Sequence, residues 1–224
     1  MATVLDVYNA AISAARGKGR LSSTSDNTKT AEECNIWYPL VRDQVQEAAY
    51  WPSSRRSTRL TLLDTRDFGL DWVEGNAETQ YKYSYALPTT CLRPWYLVGF
   101  EHFMLSFDGV NDRTILSCNV EDAVLIYAHK NENPAQWTPG QRLATIYALA
   151  GHISTAISGD GNMITKNFQL ANQIITEARV AAANQRTLKY ESTPPMLSER
   201  GYADSETRYF YPYGESFTAA APNG

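Results

Sequence analysis

The chain has few of the residues from which catalytic and metal centres are built. Of its 224 residues, three are cysteine and three are histidine. Cys34, Cys91 and Cys118 are far apart, odd in number and without a CxxC pair. That spacing points away from a zinc site and a disulfide framework, and it fits a reducing compartment. His102, His129 and His152 have no nucleophile motif beside them. No apolar run approaches the ~20 residues that cross a bilayer, so no membrane role is expected. The N-terminus has no basic region followed by an apolar core, so no signal peptide is expected. Net charge is −4, from 24 acidic and 20 basic side chains. A dominant basic field for gripping nucleic acid is therefore missing. Gly17-Lys18-Gly19 lacks the preceding strand and the glycine spacing of a phosphate loop. No cofactor is expected.

What the chain does have is a long helical hairpin, from Thr138 to Arg186. Thr138-Pro139-Gly140-Gln141 has the form of a helix start, with Thr138 as cap, Pro139 at the first helical position and Gln141 able to close a capping box. Leu143, Ile146, Tyr147, Ala150, Ile153 and Ile157 make a one-sided stripe. Ala144, Ala148 and Gly151 form a second, small row that lets another backbone come close. Ser158 to Asn162 stops this helix, and Ile164, Phe168, Ala171, Ile175, Ala178 and Ala182 make the seam of the next.

Two helices precede it. The first starts at a Thr3 cap with Asp6 in its first turn and carries Leu5, Tyr8, Ala11, Ile12 and Ala15 on its apolar side. The second opens at a Thr30 to Glu33 capping box and carries Cys34, Trp37, Tyr38, Val41, Val45 and Ala48. Pro39 is expected to bend it. Glu32 and Glu33 read as acids facing the helix dipole rather than as a catalytic pair.

From Arg55 the period changes. Arg55, Arg56 and Arg59 form a basic cluster, and strands are expected at 80–87, 97–107, 113–117 and 123–128. Asp108 to Asp112 reads as a hairpin loop rather than a calcium loop. The expected fold class is α+β, mainly α. Four helices near 3–16, 30–50, 139–157 and 162–187 pack as one bundle, and a small antiparallel sheet is inserted between helices 2 and 3. The bundle takes 1–55 and 134–187, the insertion 56–133. An extended C-terminal arm, 188–224, follows. Its four prolines forbid a long helix. Its aromatics, Tyr190, Tyr202, Tyr209, Phe210, Tyr211, Tyr213 and Phe217, are of the types that anchor interfaces.

Three stretches carry a family resemblance. The first runs through Ala10, Ala11, Ala14, Leu21-Ser22-Ser23, Asp26, Ala31, Cys34, Tyr38, Arg42-Asp43 and Trp51. The second is Tyr83-Ser84-Tyr85-Ala86-Leu87-Pro88-Thr89-Thr90-Cys91-Leu92-Arg93, and the third is Tyr127 with Pro134-Ala135-Gln136-Trp137 before the hairpin. In this order and spacing, over about residues 3 to 185, the chain resembles the head–tail adaptors of short-tailed phages, the tail tubular protein A family. It departs from the pattern at Thr90, where an aspartate is usual, and at Trp51-Pro52-Ser53-Ser54, where Trp-Asn-Phe-Ala is usual. The resemblance implies a structural virion protein at the head–tail junction, made in the host cytoplasm during assembly. It implies a dodecameric ring between portal and tail nozzle, with tail fibres as a further partner and DNA passing through unbound. On this reading the aromatic arm binds the portal, and Arg55, Arg56 and Arg59 are candidate contacts to the nozzle or a neighbouring subunit. No catalytic or metal residue is expected. The alternative is a tail-associated cell-wall glycosidase, for which Asp64, Asp67, Asp71 and Glu74 supply carboxylates.

Overall fold

A computed structural model describes residues 2–65, 81–109, 111–157, 159–185, 208–210 and 216–218. Helix α1 (Val4–Ala14) starts at Thr3, whose hydroxyl accepts from the Asp6 amide while the Asp6 carboxylate accepts from the Thr3 amide, a closed capping box. Helix α2 (Lys29–Ala48) starts two residues earlier than the sequence suggests. Thr28 is its cap, accepting from Ala31, and not Thr30. Pro39 lies within α2 on its solvent side.

Seven strands then follow: β1 (Arg55–Arg59), β2 (Thr61–Thr65), β3 (Tyr83–Ala86), β4 (Cys91–Leu97), β5 (Phe103–Asp108), β6 (Arg113–Cys118) and β7 (Val124–His129). A 3-10 turn (Pro134–Gln136) leads into α3 (Pro139–Ile157) and α4 (Gly161–Gln185). The strands make two antiparallel sheets, ordered β1-β7-β4 and β2-β3-β6-β5. Leu60 links β1 to β2 and donates its amide to Ala123, so the chain passes from one sheet directly into the other. Side chains of both sheets bury a shared core: Tyr83, Tyr85, Leu97, Leu116, Cys118, Leu125 and Tyr127.

This corrects the expected fold class. The chain does not build a four-helix bundle around one small sheet. Seven strands in two sheets stand between helices that come at the two ends. Three strands, β1, β2 and β4, lie outside the expected ones, and two of them escape the periodicity rule for evident physical reasons. β1 is Arg-Arg-Ser-Thr-Arg, with no apolar residue to alternate. β4 contains Pro94, which is tolerated because β4 is an outer strand of its sheet and its register shifts there. The helices form their own core, in which α1 and α2 both pack against α3. The small row Ala144, Ala148 and Gly151 is buried, as expected for close approach, while Leu143 of the larger stripe is 45% exposed. α4 reaches α3 through side chains. A Cβ on Gly151 would stand 2.9 Å from the Phe168 ring, so glycine is required where that ring docks.

The chain divides into two compact units, Met1–Ala178 and Arg179–Gly224. The second contains the end of α4 and a hairpin, β8 (Arg208–Phe210) with β9 (Ser216–Thr218), in which Tyr209 is opposite Phe217. A hairpin thus replaces part of the expected extended arm.

Within the first unit, buried amides tie the helices to the sheets. Gln46 of α2 is 0% exposed. Its amide donates to the Asn131 carbonyl at 2.7 Å and accepts from the Asn131 amide at 2.8 Å. Asn131 also donates to the Ser53 carbonyl, and its own carbonyl accepts from the Trp137 indole. Gln141 of α3, whose amide is capped by Thr138, sends its side chain to Ser53 and Ser54 instead of closing a capping box.

Gln46→Leu keeps volume but leaves the Asn131 amide unpaired, and it is expected to cost about 1–3 kcal/mol in denaturant melts. Gln44→Leu, on the exposed face, is expected to change stability by less than about 0.5 kcal/mol. Gly151→Leu is expected to cost about 1–3 kcal/mol through overpacking, and less in a Phe168→Ala background, because the two sites share one contact.

Candidate interaction surfaces

The residues singled out in the sequence fall in different places. Arg55, Arg56 and Arg59 all lie on β1. The Arg59 guanidinium is 3.7 Å from the Asp122 carboxylate, both well exposed. Arg56 is exposed and opposite Tyr127. The Arg55 guanidinium lies 5.0 Å over the Tyr50 ring. Of the aromatic arm, Tyr209, Phe210 and Phe217 are in the β8–β9 hairpin, while Tyr190, Tyr202, Tyr211 and Tyr213 lie outside the described residues. Of the acids considered for a glycosidase, Asp64 is exposed on β2, and Asp67, Asp71 and Glu74 lie outside the described residues.

The structure adds side chains that the sequence reading did not assemble. Tyr50, just past α2, meets Trp95 of β4 edge to face at 5.6 Å. The Arg93 guanidinium lies 5.0 Å over the Trp95 ring. The Tyr50 hydroxyl is 3.3 Å from that of Tyr96, whose ring stacks on Phe100 at 5.0 Å. Phe100 is 52% exposed and held at φ 58°, in the left-handed region that non-glycine residues seldom adopt. These rings and guanidinium groups form one continuous strip. Tyr50, Arg55 and Trp95 of the strip, with Gln46, Trp51 and Ala128, line a hollow too tight to admit a small molecule. The signal for this strip was the density of tyrosine, tryptophan and arginine in two stretches, 50–56 and 93–100, that only the fold brings together.

A second charged cluster joins α2 to the segment after β7. Arg42, 6% exposed, bonds Asp43 at 2.7 Å and Glu132 at 3.3 Å. Lys130 stands within 4 Å of the same two carboxylates, at 3.7 and 3.6 Å. Burial opposes the Arg42 charge, but the hydrogen bond and charge of Asp43, with Glu132, raise its pKa nonetheless. Burial also pushes the Tyr38 hydroxyl up to about 12. The Cys34 thiol is pushed up to about 11 by burial and then by Glu33, and burial alone does the same to Cys91. Thiols held so far above neutral pH are poor nucleophiles. No group of three or more His, Cys, Asp or Glu side chains among the described residues could hold a metal ion.

Other motifs resolve into packing. Gly17 receives Ile12 and Ile157 where a Cβ would stand, at 2.7 and 2.8 Å, and its amide closes the end of α1 on the Ile12 carbonyl. It is a helix terminus, not a phosphate cradle. Asp108 accepts from Asn111 and Arg113, as a hairpin turn does. Glu33 accepts from the Trp37 indole at 3.3 Å. His152 is sandwiched by aromatics, stacked on Trp37 at 4.4 Å and edge-on to Phe168 at 5.0 Å.

No protein-family model matches the chain, and no curated protein matches it.

The histidines give a pH prediction. Burial lowers the pKa of His152, and burial followed by Arg56 lowers that of His129. The folded state therefore binds fewer protons than the unfolded state below pH ~6.5, and stability falls as pH drops through and below that value. Chemical melts at pH 7.5 and 5.5 are expected to show the loss. His152→Gln is expected to flatten it, and an unchanged slope in that variant would place the acid sensitivity elsewhere.

Proposed function

We propose that the chain is a structural protein of a virion, a ring-forming head–tail adaptor that joins the portal to the tail nozzle and forms part of the DNA channel. The ordered set of resembling stretches carries this reading. The longest, Tyr83 to Arg93, runs from β3 into β4. It places two core tyrosines and one surface arginine within eleven residues.

A ring with cyclic symmetry needs a heterologous interface, with two unlike faces on each subunit. The first unit offers large apolar side chains at its surface on unlike elements. Ile36 and Leu40, one helical turn apart on α2, are 61% and 62% exposed. At the tip of the β5–β6 hairpin Phe107 is 66% exposed, with Leu105 two residues before it on the same strand face. Burying such groups stabilises association by about 25 cal/mol per Å² of apolar surface before the cost of ordering. On this proposal the aromatic C-terminal stretch contacts the portal, and tail fibres are a further partner. DNA passes through without specific binding, consistent with the net charge of −4.

Mass measurement of the protein alone and mixed with portal tests the reading. A closed ring of about a dozen copies is expected in the mixture, by the resemblance. Leu40→Glu is expected to weaken assembly at least tenfold, because it sets a charge in a buried apolar contact. A protein that stays monomeric under both conditions would rule the adaptor reading out.

A further inference from the structure

The four-stranded sheet carries one apolar row from edge to edge. The register sets Leu62 of β2 opposite Tyr85 of β3, Tyr85 opposite Leu116 of β6, and Leu116 opposite Leu105 of β5. Directly opposed residues share a face, so all four are on the face turned to the core. Tyr85 and Leu116 are buried there, while Leu62 and Leu105 at the two ends are about half exposed. Phe107, two residues along β5 on the same face, is more exposed still. The β1-β7-β4 sheet covers the middle of this face and leaves both margins open.

Among the described residues, no strand pairs with the outer edge of β2 or of β5. Edge strands are normally guarded by charge, proline or a bulge, because a bare edge invites another strand. β1 has three arginines, and β4 has Pro94 and two register shifts. β2 has a register shift between Leu62 and Asp64, which spares Thr61 and Leu62. β5 pairs with β6 over all six residues without a shift, and it contains neither proline nor a basic residue.

We propose that β5 of one copy adds to β2 of the next, so that the sheet runs on from subunit to subunit. The contact rests on the ring-forming part of the reading above and names the surfaces that make it. Strand sense fits, because β2, β3, β6 and β5 alternate in direction and β5 meets the β2 of the next copy antiparallel. The apolar row fits as well. Leu105 and Phe107 come against Leu62 of the next copy, and one contact covers both open margins. Main-chain hydrogen bonds between the edges supply affinity, and the apolar row fixes the register. A two-fold contact of β5 with β5 would leave Leu62 at the surface. The head-to-tail contact joins unlike edges, which is the heterologous kind that closes into a ring.

The test uses the full-length protein at high concentration as two single variants, Leu62→Cys and Leu105→Cys, with a short bismaleimide linker. Both positions are half-exposed, so the variants are expected to keep the circular dichroism spectrum. An equal mixture is expected to give a linked pair at least tenfold above either variant alone. The wild type, with its own Cys34, Cys91 and Cys118, sets the background. A double variant, Leu105→Lys with Phe107→Lys, guards the β5 edge and is expected to weaken self-association at least tenfold with an unchanged spectrum. No linked pair in the mixture, a pair from Leu105→Cys alone, or undiminished association of the lysine variant would each overturn the proposal. Rings that join portal without the link between positions 62 and 105 would remove this contact and leave the adaptor reading standing. The link in a protein that never joins portal would keep the contact and remove the adaptor reading.

Discussion

The arrangement of helices against sheets depends on a pair of buried amides. Gln46 sits on a helix and Asn131 follows a strand, and each is among the buried polar residues. An unpaired buried amide costs about 1–3 kcal/mol, so the two elements are stable together only in the register that pairs them. Apolar packing alone would not be so selective, since hydrophobic contact is non-directional. Ser53, Ser54, Gln141 and the indoles of Trp51 and Trp137 extend the constraint in three directions. α2, α3, the start of β1 and the end of β7 all meet there. Ser54 adds a backbone bond by accepting the His129 amide at 2.6 Å.

This explains why so much of the surface strip was illegible from sequence. Gln46, Gln141 and Asn131 have the composition of surface residues, and only the fold buries them. β1 has no apolar side chain of its own, and what makes it a strand is its pairing with β7. By contrast, features set by a few adjacent residues were readable. The Thr3 and Thr138 caps and the Asp108 turn depend on local hydrogen bonds. The Thr28 cap shows the limit of that rule. Thr28 and Thr30 are both able to cap α2, and local chemistry does not separate them. The stripe on α3 was legible except at one position. Ala150 and Ile153 are buried and Ile146, Tyr147 and Ile157 pack against the same core, but Leu143 is left outside while the small residues Ala144 and Ala148 are buried as well.

The two clusters of charge also differ in what the fold does with them. Arg42, Asp43, Lys130 and Glu132 neutralise one another across the α2–β7 junction. Removing one partner would leave a half-buried charge, so this group is a tie between elements and is poorly suited to bind anything else. The strands of the β1-β7-β4 sheet contain arginines and no acid of their own, so compensation comes from outside the strands, as Asp122 supplies it to Arg59. Like charges on one sheet repel, and cross-strand repulsion is unfavourable unless something offsets it. Aromatic rings beneath two of the guanidinium groups supply part of that offset, at about 0.5–1 kcal/mol for each exposed cation–π contact.

The strip and the amide network share one short piece of chain. From Tyr50 to Arg55, Trp51, Ser53 and Ser54 point into the network while Tyr50 and Arg55 stand in the strip. Trp51 is fixed by its indole bond to the Val45 carbonyl at 2.7 Å, and Ser54 by Gln141. The two sets of residues share one short segment, so their positions are coupled. Side chains held this way have already lost rotamer freedom, a cost of about 0.5–1.5 kcal/mol per side chain that the network's hydrogen bonds offset. The buried hydrogen bonds of the junction and the rings and guanidinium groups of the strip share this one segment, so the stability of the junction and the order of the strip rest on the same contacts.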